Sequence, residues 1–135
     1  MHALIIEDQF AIAMLLEDLL RDLGYTSFDI VQTEKAGISA AKERCPDLIT
    51  ADDRLTDGSG IDAVQEICAA RAIPVVFIVG DSLELNRRMP DAVVLMKPFR
   101  THEFADAVGQ ALVRGRRGKV SGLMLAQLQN ISDGK

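Results

Sequence analysis

Two acidic pairs and one lysine stand where they could do chemistry together. Glu7-Asp8 follows the apolar run Ala3 to Ile6, and Asp52-Asp53 follows Leu48 to Ala51. Val79-Gly80-Asp81 closes a longer run from Val75, and Lys97 follows Ala92 to Met96. Carboxylates brought close together repel and raise each other's pKa, so a cluster of three needs an offset. A hard divalent cation supplies it best, and Mg2+ suits two or three carboxylates with several waters. A lysine beside such a site is a point charge able to hold a phosphoryl oxygen. A carboxylate next to both is equipped as a nucleophile toward phosphorus, and its product is an aspartyl phosphate. A lone Asp after a strand is ordinarily a turn residue or helix cap. Three strand ends in register, each with the required residue type, are a much rarer coincidence.

These residues meet only if the apolar runs lie side by side. The first helix is marked by Ile12, Leu15, Leu16, Leu19, Leu20 and Leu23 at helical spacing, and Gly24 ends it. Phe28 to Val31 reads as a second strand. Thr33 caps a second helix with Ile38, Ala41 and Cys45 inward, and Pro46 stops it. Asp52 to Gly60 is a loop, and Ile61, Val64, Ile67 and Cys68 stripe a third helix. Pro74 opens the fourth strand. Asp81 with Glu84 resembles a capping box ahead of a fourth helix. Twelve residues, Gly80 to Asp91, separate strands four and five, so that helix must be short. The last helix is expected over Thr101 to Arg114 with Phe104, Val108, Ala111 and Leu112 inward. Five strands alternating with helices imply an α/β fold, a doubly wound five-stranded parallel sheet covered on both faces. In such sheets function collects outside the carboxyl ends of the strands, where Glu7, Asp8 and Asp52 converge with Lys97.

Composition narrows the classes. The chain has 135 residues, one domain's worth, with 48% hydrophobic and 26% charged residues. Its net charge of -5 disfavours nucleic-acid binding, which needs a basic face. No run approaches a membrane span, the N-terminus is no signal peptide, and a reducing cytoplasm is the expected location. Cys45 and Cys68 make no CxxC and read as core residues, as do Met89 and Met96. His2 and His102 show no partner pattern. Residues 1–114 read as one domain. In 115–135, Gly115 and Gly118 break the helix, and Leu123 to Ile131 would form one short amphipathic helix. That tail is either a docking or dimerisation element, which leaves a homodimer open, or a frayed solvated end.

The segments LIIEDQF at 4–10, PDLITADDRLTDGSGIDAV at 46–64, IPVVFIVGDS at 73–82 and VLMKPF at 94–99 resemble the response regulator receiver domain of two-component signalling. Together they cover residues 3–114, in order. The resemblance implies a flavodoxin-like (βα)5 fold with strand order 2-1-3-4-5. It implies Asp52 as phosphoacceptor, with Asp53 as the competitor. Glu7, Asp8 and Asp52 then bind Mg2+ with the backbone carbonyl of Arg54, and Lys97 contacts the phosphoryl group. Pro98 follows through a cis bond. The phosphodonor is a sensor histidine kinase or phosphotransfer protein, which docks on the outer face of the first helix, and the downstream protein is unknown. Residues 55–64 look most like receivers of the alphaproteobacterial general stress response.

The chain departs from the family at two switch positions. Val79 stands where Thr or Ser normally ends the fourth strand, and Val94 where an aromatic normally lies three before the lysine. Gly80 keeps the usual small residue. Arg54 and Asp81 border the pocket, and Arg54 would pair with Asp81 across the mouth or reach the phosphoryl group itself. Three readings compete. The first is a stand-alone receiver, not an enzyme beyond its own phosphorylation and dephosphorylation, that signals by protein contact or phosphorelay. The second is a phosphorylation-independent pseudo-receiver. The third, a phosphatase of the haloacid dehalogenase type, is disfavoured because Arg54 occupies its second aspartate position.

Overall fold

Uninterrupted aliphatic runs form strands where both faces of a sheet are covered. In the computed structural model, which describes residues 1–119, five such runs alternate with five helices. They are β1 (His2–Ile6), α1 (Phe10–Asp22), β2 (Ser27–Val31), α2 (Glu34–Glu43), β3 (Leu48–Ala51), α3 (Gly60–Ala70), β4 (Val75–Val79), α4 (Leu83–Arg88), β5 (Val93–Met96) and α5 (Thr101–Lys119). All strands pair in parallel in the order β2-β1-β3-β4-β5. This is the expected flavodoxin-like arrangement. β1 and β3 are buried along their whole length, whereas the edge strand β2 is half-buried throughout.

The sheet separates two apolar layers. α1 and α5 cover one face, where Leu16, Leu20, Tyr25, Ile78 and Phe104 pack together. α2, α3 and α4 cover the other, over Ile6, Ile49, Ile61, Phe77, Val79 and Leu85. Local signals set the helix ends. Thr33 accepts from the Ala36 amide at 3.0 Å, and Ser59 accepts from Ile61 and Asp62. Gly24 ends α1 at φ 100°, a conformation that favours glycine. The Lys97–Pro98 bond is cis.

Several expectations need correction. Leu15 and Leu23 are exposed, because Leu15 lies at the rim of the stripe and Leu23 stands past the last helical residue. Cys45 is exposed for the same reason: α2 ends at Glu43, so the helical register no longer carries it inward. Met96 is exposed because β5 is an edge strand whose burial alternates. Asp81 and Glu84 form no capping box. Asp81 accepts from the Leu83 amide at 2.9 Å in a turn, and Glu84 faces outward to Arg87 at 2.6 Å. α5 does not stop at Arg114 but runs through Gly115 and Gly118 to Lys119. A helix tolerates an interior glycine at roughly 1 kcal/mol. At Gly115 there is a compensating reason, since a Cβ there would lie 2.6 Å from the Pro74 ring that opens β4. The amphipathic stretch expected over Leu123 to Ile131 lies outside the described residues. His2, given no role above, is buried. Its ring nitrogens meet Ser27 Oγ at 2.8 Å and Asp29 Oδ2 at 3.0 Å, pinning β1 to β2 at the amino end of the sheet.

Candidate functional site

Glu7, Asp52 and Lys97 are each the first residue past a strand, and each is still held by the sheet. The Glu7 amide donates to the Val31 carbonyl at 2.9 Å, that of Asp52 to Ile6 at 3.0 Å, and that of Lys97 to Val79 at 2.8 Å. Backbone pairing thus fixes three side chains from three strands at one edge before any side-chain interaction forms. Glu7, Asp8 and Asp52 each bring a carboxylate oxygen within 4.8 Å of the others. Lys97 Nζ lies across two of them, donating to Asp52 Oδ2 at 2.9 Å and Glu7 Oε1 at 3.1 Å.

Burial sharpens the electrostatics. The Glu7 side chain is 1% exposed and that of Asp52 10%. Burial pushes the Glu7 carboxyl above its ordinary pKa, and the Asp52 charge adds to this. Hydrogen bonds from the Gln9 amide and Lys97 offset only part. Asp53 is likewise raised, by burial and by the adjoining Asp52 carboxyl. Asp8 is lowered, chiefly by the Thr56 hydroxyl, which donates to its Oδ2 at 2.7 Å. For Lys97, burial alone would depress the ammonium, but its bonds to Asp52 and Glu7 outweigh that and raise its pKa. One ammonium therefore answers three converging carboxylates, and the arrangement keeps an excess of negative charge.

Above the cluster lies a cavity of about 310 Å³ lined by Asp8, Gln9, Asp52, Asp53, Arg54, Gly80, Asp81 and Lys97. Arg54 and Asp81 face each other across its mouth at 4.0 Å, both well exposed. Such a solvated pair contributes at most about 1 kcal/mol. Gly80 lines the cavity, and a Cβ there would meet nothing within 4 Å, so access to Asp52 is open. Val79 and Val94 stand apart from this lining. Val79 is fully buried in the apolar layer under α3 and α4, and Val94 packs against the same layer.

Sequence reasoning missed three supporting residues. Gln9 donates its amide to Glu7 Oε2 at 3.1 Å. Thr56 donates both amide and hydroxyl to Asp8. Gly60, whose amide donates to the Asp53 carbonyl, has no room for a side chain, because a Cβ would overlap the Asp52 carbonyl oxygen. Only Gly60 left a trace in the sequence, as the last of the loop glycines.

The donor set fits Mg2+ on its chemistry: three hard carboxylate oxygens converge at a solvent-reaching cavity, one of them unusually basic. Zinc-type sites would instead want nitrogen or sulfur donors.

Comparison with known proteins shows the family. Residues 3–109 match the family model of the response regulator receiver domain. The phyllosphere-induced regulator PhyR of Methylorubrum extorquens is 36% identical over 113 residues, which cover 81% of this chain and 42% of that protein. This chain thus spans less than half of that relative. The solution structure of the Erythrobacter litoralis PhyR receiver domain superposes with a TM-score of 0.75 at 35% identity, covering 83% of this chain and 89% of that one. The receiver domain of the Pseudomonas aeruginosa sensor histidine kinase PA1611 superposes at 0.71 with 26% identity, over 82% and 96% of the chains. That structure carries a magnesium ion coordinated in its active-site cleft. The PhyR matches agree with the finer resemblance carried by residues 55–64.

Proposed function

The chain belongs to the response regulator receiver domain family, a signalling family, and on that premise we propose that Asp52 accepts a phosphoryl group from a histidine kinase or phosphotransfer protein. The observation that carries this is Asp52 Oδ2 lying 2.9 Å from Lys97 Nζ, at the floor of an open cavity and beside Glu7 and Asp8. Glu7, Asp8 and Asp52, with the Arg54 carbonyl, would hold Mg2+. The ion supplies charge neutralisation at the phosphoryl oxygens. The rest falls to the chain's own residues. An Asp52 oxygen bonds to phosphorus as the donor's phosphorus–nitrogen bond breaks, and the imidazole leaves with that electron pair. Lys97 holds a phosphoryl oxygen once its contact with Asp52 Oδ2 is given up. The Gly80 amide, at the cavity wall, is the second donor available. Arg54 and Asp81 guard the mouth, and their separation sets how readily water reaches the phosphoaspartate. Asp53 is the weaker acceptor, because its Oδ1 is engaged by the Arg54 amide at 2.8 Å.

The phosphorylated chain then signals by protein–protein contact or phosphorelay. Phosphorylation shifts a population between two conformations through the contacts of Lys97 and the loop after β4. A second reading rests on a specific observation, the burial of Val79 and the aliphatic Val94 where a hydroxyl and an aromatic ring would couple the site to α4. On that reading the domain is an interaction module that works without phosphate.

Intact-mass measurement separates the two. After incubation with Mg2+ and a small phosphodonor, and separately with a phosphorylated phosphotransfer protein, the first reading expects a gain of one phosphoryl group. That gain must vanish in Asp52→Ala and on chelation. No gain from either donor gives the domain to the second reading.

A further inference from the structure

Thr56 is not required by the chemistry above, yet it makes the two shortest hydrogen bonds found on the three clustered carboxylates. Its amide donates to Asp8 Oδ2 at 2.6 Å and its hydroxyl to the same oxygen at 2.7 Å. Both bonds fall on one oxygen of the carboxylate. Asp8 is only partly buried, so without this clamp its carboxylate would turn freely into solvent.

Thr56 is itself fixed from behind. The residues that follow it are fastened to the first turn of α2. Thr33 and Asp57 bridge in parallel, and the Glu34 amide donates to the Asp57 carbonyl at 3.2 Å. The Ser59 amide donates to Glu34 Oε1 at 2.9 Å. Gly58, at φ 93°, lies so close that a Cβ would come 2.5 Å from Glu34 Cβ. The β3–α3 loop is therefore a bracket bolted to α2, and Thr56 is its tip on Asp8.

We infer that Thr56, backed by Glu34, is a positioning residue that presents Asp8 to the cation and sets the affinity of the site for Mg2+. This rests on the reading of Glu7, Asp8 and Asp52 as the cation site. The sign follows from the rigidity. A flexible partner would trade its bonds for the ion and weaken binding, whereas a fixed donor pair on one carboxylate oxygen has already oriented the ligand. Hydrogen bonds that orient a metal-binding carboxylate act in this way, and removing them commonly costs 10–100-fold in affinity.

The test is calorimetric Mg2+ titration of the full chain, with backbone amide spectra recorded alongside to verify folding. Thr56→Val keeps the shape and the backbone donor and removes the hydroxyl. Its affinity should fall about tenfold, the lower end of that range. Thr56→Ser should restore binding close to wild type. Glu34→Ala, which changes no atom of the site, should weaken binding as well, and Glu34→Gln should recover it through the retained acceptor. Thr56→Val binding as tightly as wild type, or more tightly, overturns the inference, as does Glu34→Ala without effect. If the wild-type chain shows no saturable binding, or Asp8→Asn leaves binding intact, the reading of the cation site falls and takes the inference with it. Binding lost in Asp8→Asn but untouched in Thr56→Val sinks the positioning role alone.

Discussion

Replacing Val79 with threonine tests what the end of β4 is built to do. Valine and threonine have nearly the same shape, so the change adds a hydroxyl and little else. Val79 is 0% exposed, and the side chains packed with it, Ile6, Ala51, Phe77 and Leu85 among them, are apolar. Its own carbonyl is already taken by the Lys97 amide at 2.8 Å. A hydroxyl placed there has neither water nor a free partner in the unphosphorylated chain, and an unsatisfied buried group costs roughly 1–3 kcal/mol. In a chain of this size each kcal/mol moves the melting temperature by about 4 °C. Val79→Thr should therefore melt about 4–12 °C below wild type, on the same two figures. Denaturant unfolding should show a lower midpoint at unchanged slope. Phosphorylation supplies the missing acceptor if residue 79 faces the phosphoryl oxygens, so the deficit should narrow with Mg2+ and phosphodonor. A variant as stable as wild type would show that the site already offers a partner, and the argument from burial would be wrong. A deficit unchanged by phosphorylation would show that position 79 does not address Asp52.

Three further outcomes are expected. Mg2+ should stabilise the chain by about 2.7 kcal/mol at one hundred times its dissociation constant; thermal unfolding with and without chelator reads this, and Asp8→Asn should abolish it. Gly60→Ala should destabilise by at least about 1–3 kcal/mol, since its Cβ would overlap the Asp52 carbonyl and must push the Asp52 backbone aside; normal stability would contradict this. The third concerns pH. The Arg87 guanidinium holds the Glu84 carboxyl below its ordinary value, so that contact is fully present above pH 4.5 and is lost as pH falls through the lower, folded value. Amide exchange at Asn86 in α4 and at Met89, its C-cap, should quicken below pH 4.5 beyond its intrinsic dependence, and Glu84→Gln should remove the pH effect.

The fold was legible because it rests on two strong signals, uninterrupted apolar runs and 3.6-residue stripes. The residues just past β1, β3 and β5 could be placed together because parallel pairing brings strand ends to one edge. The errors share one cause. Periodicity says which side of a helix is apolar but not where the helix ends or how wide a face its neighbours cover. Leu15, Leu23 and Cys45 failed on those grounds, and Met96 on the asymmetry of an edge strand. Gly115 failed differently, because a glycine reads as a helix breaker until a neighbour such as Pro74 is known to need the space. Thr56 and Glu34 were illegible for a third reason. Their partners, Asp8 and Ser59, lie far away in sequence, and no short-range pattern marks a hydrogen bond across such a distance.

The sheet is also a partition. Among the described residues none belongs to both apolar layers, and Val79 with the loop-bearing helices lies on one side while the face of α1 lies on the other. Substitutions in the two layers should thus add with little coupling, as distant sites do. Leu16→Ala beneath α1 and Ile61→Ala beneath α3 should together cost the sum of their separate effects. The domain is in this sense two half-cores sharing a wall. The packing beneath α1 and α5 and the packing beneath α2, α3 and α4 can be remodelled one at a time, each without unsettling the other.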